Sequence, residues 1–416
     1  MKKFLAQTSV RLALVTVLTS GLIGTGAATA DVTYTSKLPH HFVALGDSLT
    51  LGLEPGVDYS MNEPYGFVDR LYEDSLYTGR TYVKNYGVAG LNSTGLVKYL
   101  DALKQNKNTT PNEIQADLPE SPRTDQLFSQ IEESRQELAV ADLITVTIGA
   151  NDFAPDFAAF VQAGADDDVK AKTNDVLDTL STNLRSALAT LHELAPHAQV
   201  VIADGYVPYF TDGDQATYDR LQQVSEDTTT TLDEIADSMK SDTFPIKVAH
   251  VSEKFNGHER DYTHLAENDV HPNQAGYEAM ADAFAQAIWG GRYRITEQRQ
   301  PINVIVKGKE FHNDYEVTMI NDRAYLPLRE FAEAVGAEVG WDEENQAAII
   351  SMGESNVKFS IGSDTLLVNG EEVKIDAPVH LLYDGTKTYV PLRAISQGLG
   401  FDVEYISNSN TAYINN

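Results

Sequence analysis

The sequence predicts an α/β protein, a parallel sheet covered by helices on both faces, followed by a smaller α+β unit made of two repeats. Three observations carry this. From Asp31 to about Gln298, short apolar runs alternate with longer amphipathic stretches, the pattern of β-α-β connections. After Thr296-Glu297-Gln298-Arg299-Gln300-Pro301 that texture ends. Beyond it, Tyr325-Leu326-Pro327-Leu328-Arg329 returns as Tyr389-Val390-Pro391-Leu392-Arg393. At 416 residues the chain has room for two or three domains, at roughly 150 residues each.

Taken in order, residues 1–30 read as a secretory signal peptide and not as part of the fold. Met1-Lys2-Lys3 is a basic start, 12–23 is mostly apolar, and Ala28-Thr29-Ala30 ends in the small-x-small pattern of a cleavage site. The apolar run is too short and too rich in Thr, Ser and Gly to span a membrane well. The second unit, 31–298, reads as strands at 42–46, 82–86, 143–148, 200–205 and 246–251. Its helices read at 65–77, 94–103, 124–139, 169–194, 215–240 and 274–289. Residues 105–122, polar and rich in Asn, Thr and Pro, read as a long loop at the rim. Asp166-Asp167-Asp168 lacks calcium-loop spacing and reads as a cap on the helix that follows.

The third unit, 299–416, holds repeats at about 302–352 and 357–416. Gly336 returns as Gly400, Val339 as Val403 and Trp341 as Tyr405, all at the 64-residue offset of the five-residue motif. Each repeat reads as a strand, a turn, a short helix opened by Pro, and a hairpin turning at 342–345 or 407–410. Val306-Lys307-Gly308-Lys309 and Val368-Asn369-Gly370-Glu371 stand only 62 apart, so an insertion separates two parts of the unit.

The chain is strongly acidic. Its formal charge is −30, and removing Lys2, Lys3 and Arg11 with the leader takes it to −33. This argues against nucleic acid and anionic membrane surfaces as main partners. There are no cysteines. That excludes cysteine nucleophiles, thiolate zinc sites and thiol redox chemistry, and a secreted protein without disulfides must rely on an ordinary core.

Three motifs sit at or beyond strand carboxyl ends, where ligands gather in a parallel sheet. Gly46-Asp47-Ser48-Leu49-Thr50 presents Ser48 as a candidate nucleophile. Ile148-Gly149-Ala150-Asn151-Asp152 offers a side-chain amide at Asn151. Asp269-Val270-His271-Pro272-Asn273 supplies His271, just before a helix, as a candidate base. Ester cleavage needs a nucleophile, a base and a home for the oxyanion. The Ser48 N–H can serve the last role if Leu49 opens a helix. Gly90 is a second donor and Asn151 a third. No Gly-x-Ser-x-Gly elbow occurs, which disfavours the usual α/β-hydrolase architecture. Tyr59, Met61, Tyr65 and Tyr206 are candidate pocket lining.

These blocks resemble the GDSL, or SGNH, hydrolases. Residues 44–50 are similar to their first block, 85–90 to the second, 148–152 to the third and 269–273 to the last. The likeness is to the bacterial lipase/lysophospholipase-like branch over 43–50 and 141–153. It implies a flavodoxin-like three-layer α/β/α fold and esterase or lipase activity without a metal or other cofactor. It also implies Ser48 as nucleophile, His271 as base, and an oxyanion hole from Ser48, Gly90 and Asn151. The family places its triad Asp three residues before the His, where this chain has Asn268. Three arrangements follow: Asn268 orients His271 through its amide oxygen, Asp269 reaches the ring by a local shift, or a backbone carbonyl serves a Ser–His dyad.

The repeats resemble the copper amine oxidase N-terminal-like, or stalk-like, domain. Only His312 and His380 occur there, with no cysteine, whereas a copper site wants several nitrogen ligands. No metal is expected. A spacer, or a contact with cell wall or polysaccharide, is.

The leading expectation is a secreted serine ester hydrolase acting on a small-molecule or lipid ester. One alternative is an acetyl esterase on wall or plant polysaccharide. Another is a surface-binding protein without catalysis.

Overall fold

The computed structural model describes residues 38–57, 64–157, 166–210 and 214–416. The signal segment, Tyr59 and Met61 lie outside them. Five strands, β1 (His40–Gly46), β2 (Thr81–Gly87), β3 (Leu143–Thr147), β4 (Gln199–Ala203) and β5 (Ile246–Ala249), form one sheet in the order β2-β1-β3-β4-β5. Every neighbouring pair is parallel.

Alternate residues of these strands face opposite layers, because strand side chains have a period of two. Val43, Leu45, Ile144, Val146, Val200 and Ile202 face one core. Phe42, Ala44, Leu143, Val201 and Ala203 face the other. The first core is closed by α3 (Ser93–Gln105), α4 (Pro122–Ser129), α5 (Ile131–Ala139), α6 (Asp166–Leu194) and α7 (Gln215–Met239). The second is closed by α2 (Phe67–Thr78) and α8 (Gln274–Trp289), where Phe67 stacks on Phe284 at 4.5 Å. A one-turn helix, α1 (Ser48–Leu51), follows β1.

The single helix expected over 124–139 is two, and the strap before it is the reason. Ile131 N–H donates to Asn108 Oδ1 and Thr109 N–H donates to the Phe128 carbonyl. Both groups would otherwise pair inside a continuous helix. Nor is 105–122 a bare loop. Thr110 and Glu113 form a capping box on Pro111–Ile114, and Ile114 is buried. Asp166, Asp167 and Asp168 begin α6, but the capping expected of their side chains falls outside what is described.

The remaining strands are β6 (Asn303–Val306), β7 (Lys309–Glu310), β8 (Thr318–Ile320), β9 (Arg323–Pro327), β10 (Glu338–Asp342), β11 (Ala347–Met352), β12 (Ser355–Ser360), β13 (Thr365–Val368), β14 (Glu371–Lys374), β15 (His380–Leu382), β16 (Lys387–Pro391), β17 (Asp402–Ile406) and β18 (Thr411–Asn415). They make three sheets around one core, with α9 (Leu328–Val335) and α10 (Leu392–Gly398). The repeats meet about a local two-fold, since Tyr325 pairs with Pro391 and Tyr389 with Pro327. Both prolines end a strand at the helix N-cap, one place earlier than a first-turn proline. The insertion lies in one hairpin: Ile320 and Arg323 flank a two-residue turn, while Leu382 and Lys387 flank four.

The repeats dock on the far end of α2. Tyr77 stacks on Tyr293 at 5.7 Å and meets Tyr413 edge-on at 5.6 Å. Leu76 and Ile305 complete that buried cluster. The Asn415 amide donates to the Leu76 carbonyl at 2.9 Å and the Gly79 carbonyl at 3.2 Å.

Candidate active site

Sharp backbone turns put Ser48 at the sheet's carboxyl edge. Gly46 has φ +139, and a Cβ there would lie 2.2 Å from the Thr147 carbonyl oxygen, so only glycine fits. Asp47 caps α1: its Oδ1 accepts from Leu49 N–H at 3.0 Å and from Thr147 Oγ1 at 2.8 Å. Thr50 Oγ1 donates to the Leu45 carbonyl and lies 2.7 Å from Thr147 Oγ1. Burial pushes the Asp47 carboxyl up to about 6, against the pull of Thr147 and Leu49.

His271 faces this turn from a loop braced on three sides. Thr263 bridges Pro272, His264 N–H donates to the His271 carbonyl, and the Tyr206 hydroxyl donates to the Val270 carbonyl at 2.5 Å. Asn273 then caps α8, accepting from Ala275 and Gly276 N–H. His271 Nε2 lies 2.9 Å from Ser48 Oγ, and Nδ1 lies 2.6 Å from Asp269 Oδ1. The same carboxylate oxygen accepts the His271 backbone N–H at 2.8 Å. Burial alone would raise Asp269, but these two bonds and the nearby imidazoles outweigh it and hold the carboxyl below its usual range.

Asn268 does not take the orienting role expected of it as one arrangement. It adopts a left-handed conformation, φ +61, closing the turn Leu265–Glu267 with its N–H on the Leu265 carbonyl. Among the described residues its side chain makes no hydrogen bond to His271. Asn is among the few residues that enter this region readily, and the bend brings the next carboxylate, Asp269, to the ring.

Asn151 shares a cavity of about 320 Å³ with Ser48, Tyr206 and His271. Its Nδ2 donates to the Leu91 carbonyl at 2.9 Å. Gly90 is one residue away, at φ +80, with its carbonyl held by Gln115 Nε2 and Pro119 against its Cα; it does not line the cavity. Tyr65 does not line it either. Its hydroxyl donates to Glu73 and its ring lies under the Arg70 guanidinium.

A clamp absent from the sequence reading joins the two donor segments. Asp152 accepts from Ser93 Oγ at 2.5 Å and from Ser93 N–H at 2.9 Å, and Asn183 Nδ2 donates to the same hydroxyl. Burial raises the Asp152 carboxyl, and the Ser93 bonds oppose that. The signal was an acid directly after Asn151, whose partner 59 residues back only the fold reveals. No group of three or more His, Asp or Glu side chains that could hold a metal ion occurs among the described residues.

Parallel sheet, strand-end serine and facing imidazole together define a serine-type hydrolase site on a three-layer α/β/α fold. Residues 44–279, more than half of the chain, match the GDSL-like Lipase/Acylhydrolase family, and the chain belongs to it. It is a carboxylic ester hydrolase of the esterase/lipase kind. Residues 305–414 match the Copper amine oxidase N-terminal domain. Similar solved structures include the lipase Lip_vut3 from a goat rumen metagenome, at 20% identity over 60% of this chain and 98% of that one, TM-score 0.43. An extracellular lipase from Streptomyces rimosus is 19% identical over 60% and 99%, TM-score 0.40. The acetylxylan esterase Axe2 from Geobacillus stearothermophilus is 18% identical over 63% and 100%, TM-score 0.37. No curated protein matches the chain.

Proposed function

We propose that this is a secreted ester hydrolase working through an acyl-serine intermediate on Ser48. The observation that carries the reading is the row from Ser48 Oγ to His271 Nε2 to Asp269 Oδ1, at 2.9 and 2.6 Å. Donation from Nδ1–H to Asp269 leaves the Nε2 lone pair facing the serine hydroxyl. As Oγ bonds to the ester carbonyl carbon, His271 takes its proton and the carbonyl electron pair moves onto oxygen. Ser48 N–H and the Asn151 amide, both on the cavity wall, receive that charge. His271 then protonates the leaving alcohol. Water, deprotonated by the same nitrogen, attacks the acyl-serine and frees the acid.

Export is supported by the leader-like composition of residues 1–30. In this reading the repeats serve as a spacer or wall contact.

A fluorophosphonate probe tests the mechanism. We expect covalent labelling at Ser48 and hydrolysis of p-nitrophenyl esters, both lost in Ser48→Ala. Labelling of that variant, or unreduced turnover by it, would remove the serine mechanism.

A further inference from the structure

We propose that the acyl group taken up by Ser48 is a fatty chain, seated in the cavity against α7, and not an acetyl group. This rests on the reading of Ser48 as the acylated residue. The cavity begins at Ser48 and His271 and follows one face of α7, lined there by Leu221, Val224, Thr228 and Leu232. Those positions recur at three- and four-residue spacing, so they form a single stripe. The opposite wall includes Phe153 and Ile148, beyond the end of β3.

The wall's polar atoms are already engaged. Ser225 Oγ donates to the Gly205 carbonyl, Thr228 Oγ1 to the Val224 carbonyl and Tyr206 to the Val270 carbonyl. Beyond Ser48, Asn151 and His271 at the mouth, the lining side chains therefore present mostly carbon. A sugar or polar acid placed there would lose its water without gaining partners. At a share of about 30 Å³ per water, a volume of about 320 Å³ takes on the order of ten waters against apolar walls. An acetyl methyl would leave most of them in place, whereas a fatty chain releases them.

The test is a p-nitrophenyl ester series from two to sixteen carbons, on the full chain, with Val224→Trp to fill the cavity. Each buried methylene should raise kcat/KM by about fourfold until the cavity is full. Val224→Trp should lower the ratio of decanoate to acetate kcat/KM at least tenfold. Because that is a ratio within one protein, partial loss of folded enzyme does not mimic it. Decanoate titrated into Ser48→Ala should bind, and this arm stands if the Trp variant fails to fold. An acetate optimum in the wild type, an unchanged ratio in Val224→Trp, or no decanoate binding overturns the proposal. Esterase activity surviving in Ser48→Ala would instead strike the serine mechanism, leaving the binding arm to judge the cavity.

Discussion

At His271, one oxygen of Asp269 holds both the ring and the residue's own backbone N–H. A carboxylate two residues before its histidine can do this because Asn268 turns the chain through a left-handed conformation. The roles of the two neighbours separate by mutation. Asp269→Asn should lower kcat by roughly 10³–10⁴, the scale of losing the carboxylate behind a catalytic imidazole. Asn268→Ala should cost about 1–2 kcal/mol of stability, because alanine resists that conformation, with kcat within a few-fold of wild type. Initial rates and urea melts on both variants check this; a larger kcat loss in Asn268→Ala would return the orienting role to the amide. Ser48 and Asn151 were legible as motif residues at strand ends, and His271 as one just before a helix. The choice between Asn268 and Asp269 was not, since it depends on one backbone dihedral. Nor was the bond from Tyr206 to Val270, between residues 64 apart.

Helix α1 is four residues long, too short to hold itself together. It stands because Asp47 caps it and because Asn85 Nδ2 reaches the Thr50 carbonyl from β2. Asp47 gives it a pH signature. The carboxyl titrates near 6 in the fold against 3.8 in the open chain, so the native state binds the extra proton between those values. Its stabilising contribution is therefore full below about pH 3.8 and lost as pH rises through about 6. Asp47→Asn carries no such charge. It should flatten that part of the pH–stability curve and stabilise the protein at pH 8 by up to about 3 kcal/mol. Urea unfolding at pH 4, 6 and 8 measures it; parallel curves for the two proteins would contradict it. The same physics decided what the sequence revealed among elements. The five sheet strands, most of them apolar runs, were found within two residues of their ends. Pro111–Ile114, Ala150–Phe153, Val251–Phe255 and Glu259–Tyr262 are single turns, too short for any local period to announce them.

Across the whole molecule, the repeats and the hydrolase unit share the cluster of Leu76, Tyr77, Tyr293, Ile305 and Tyr413. Tyr413 is 2% exposed, and Tyr413→Ala should cost about 3–5 kcal/mol by the precedent of other large buried aromatics. Calorimetry should show one unfolding transition in the wild type and two in the variant, with esterase rates on the folded protein unchanged. A single transition in both would mean that the cluster does not couple the halves. The repeat offset foretold a self-similar unit. It said nothing of this contact, because partners such as Tyr77 and Tyr413 lie more than 300 residues apart. Their place has a directional result. Leu76, Gly79 and Arg80 lie where β1 and β2 begin, about 20 Å along the strands from Ser48. A body resting on its repeats thus turns its mouth away from the support. Were the repeats the anchored face, esters embedded behind them would be out of reach and esters in the surrounding fluid would meet the mouth face on.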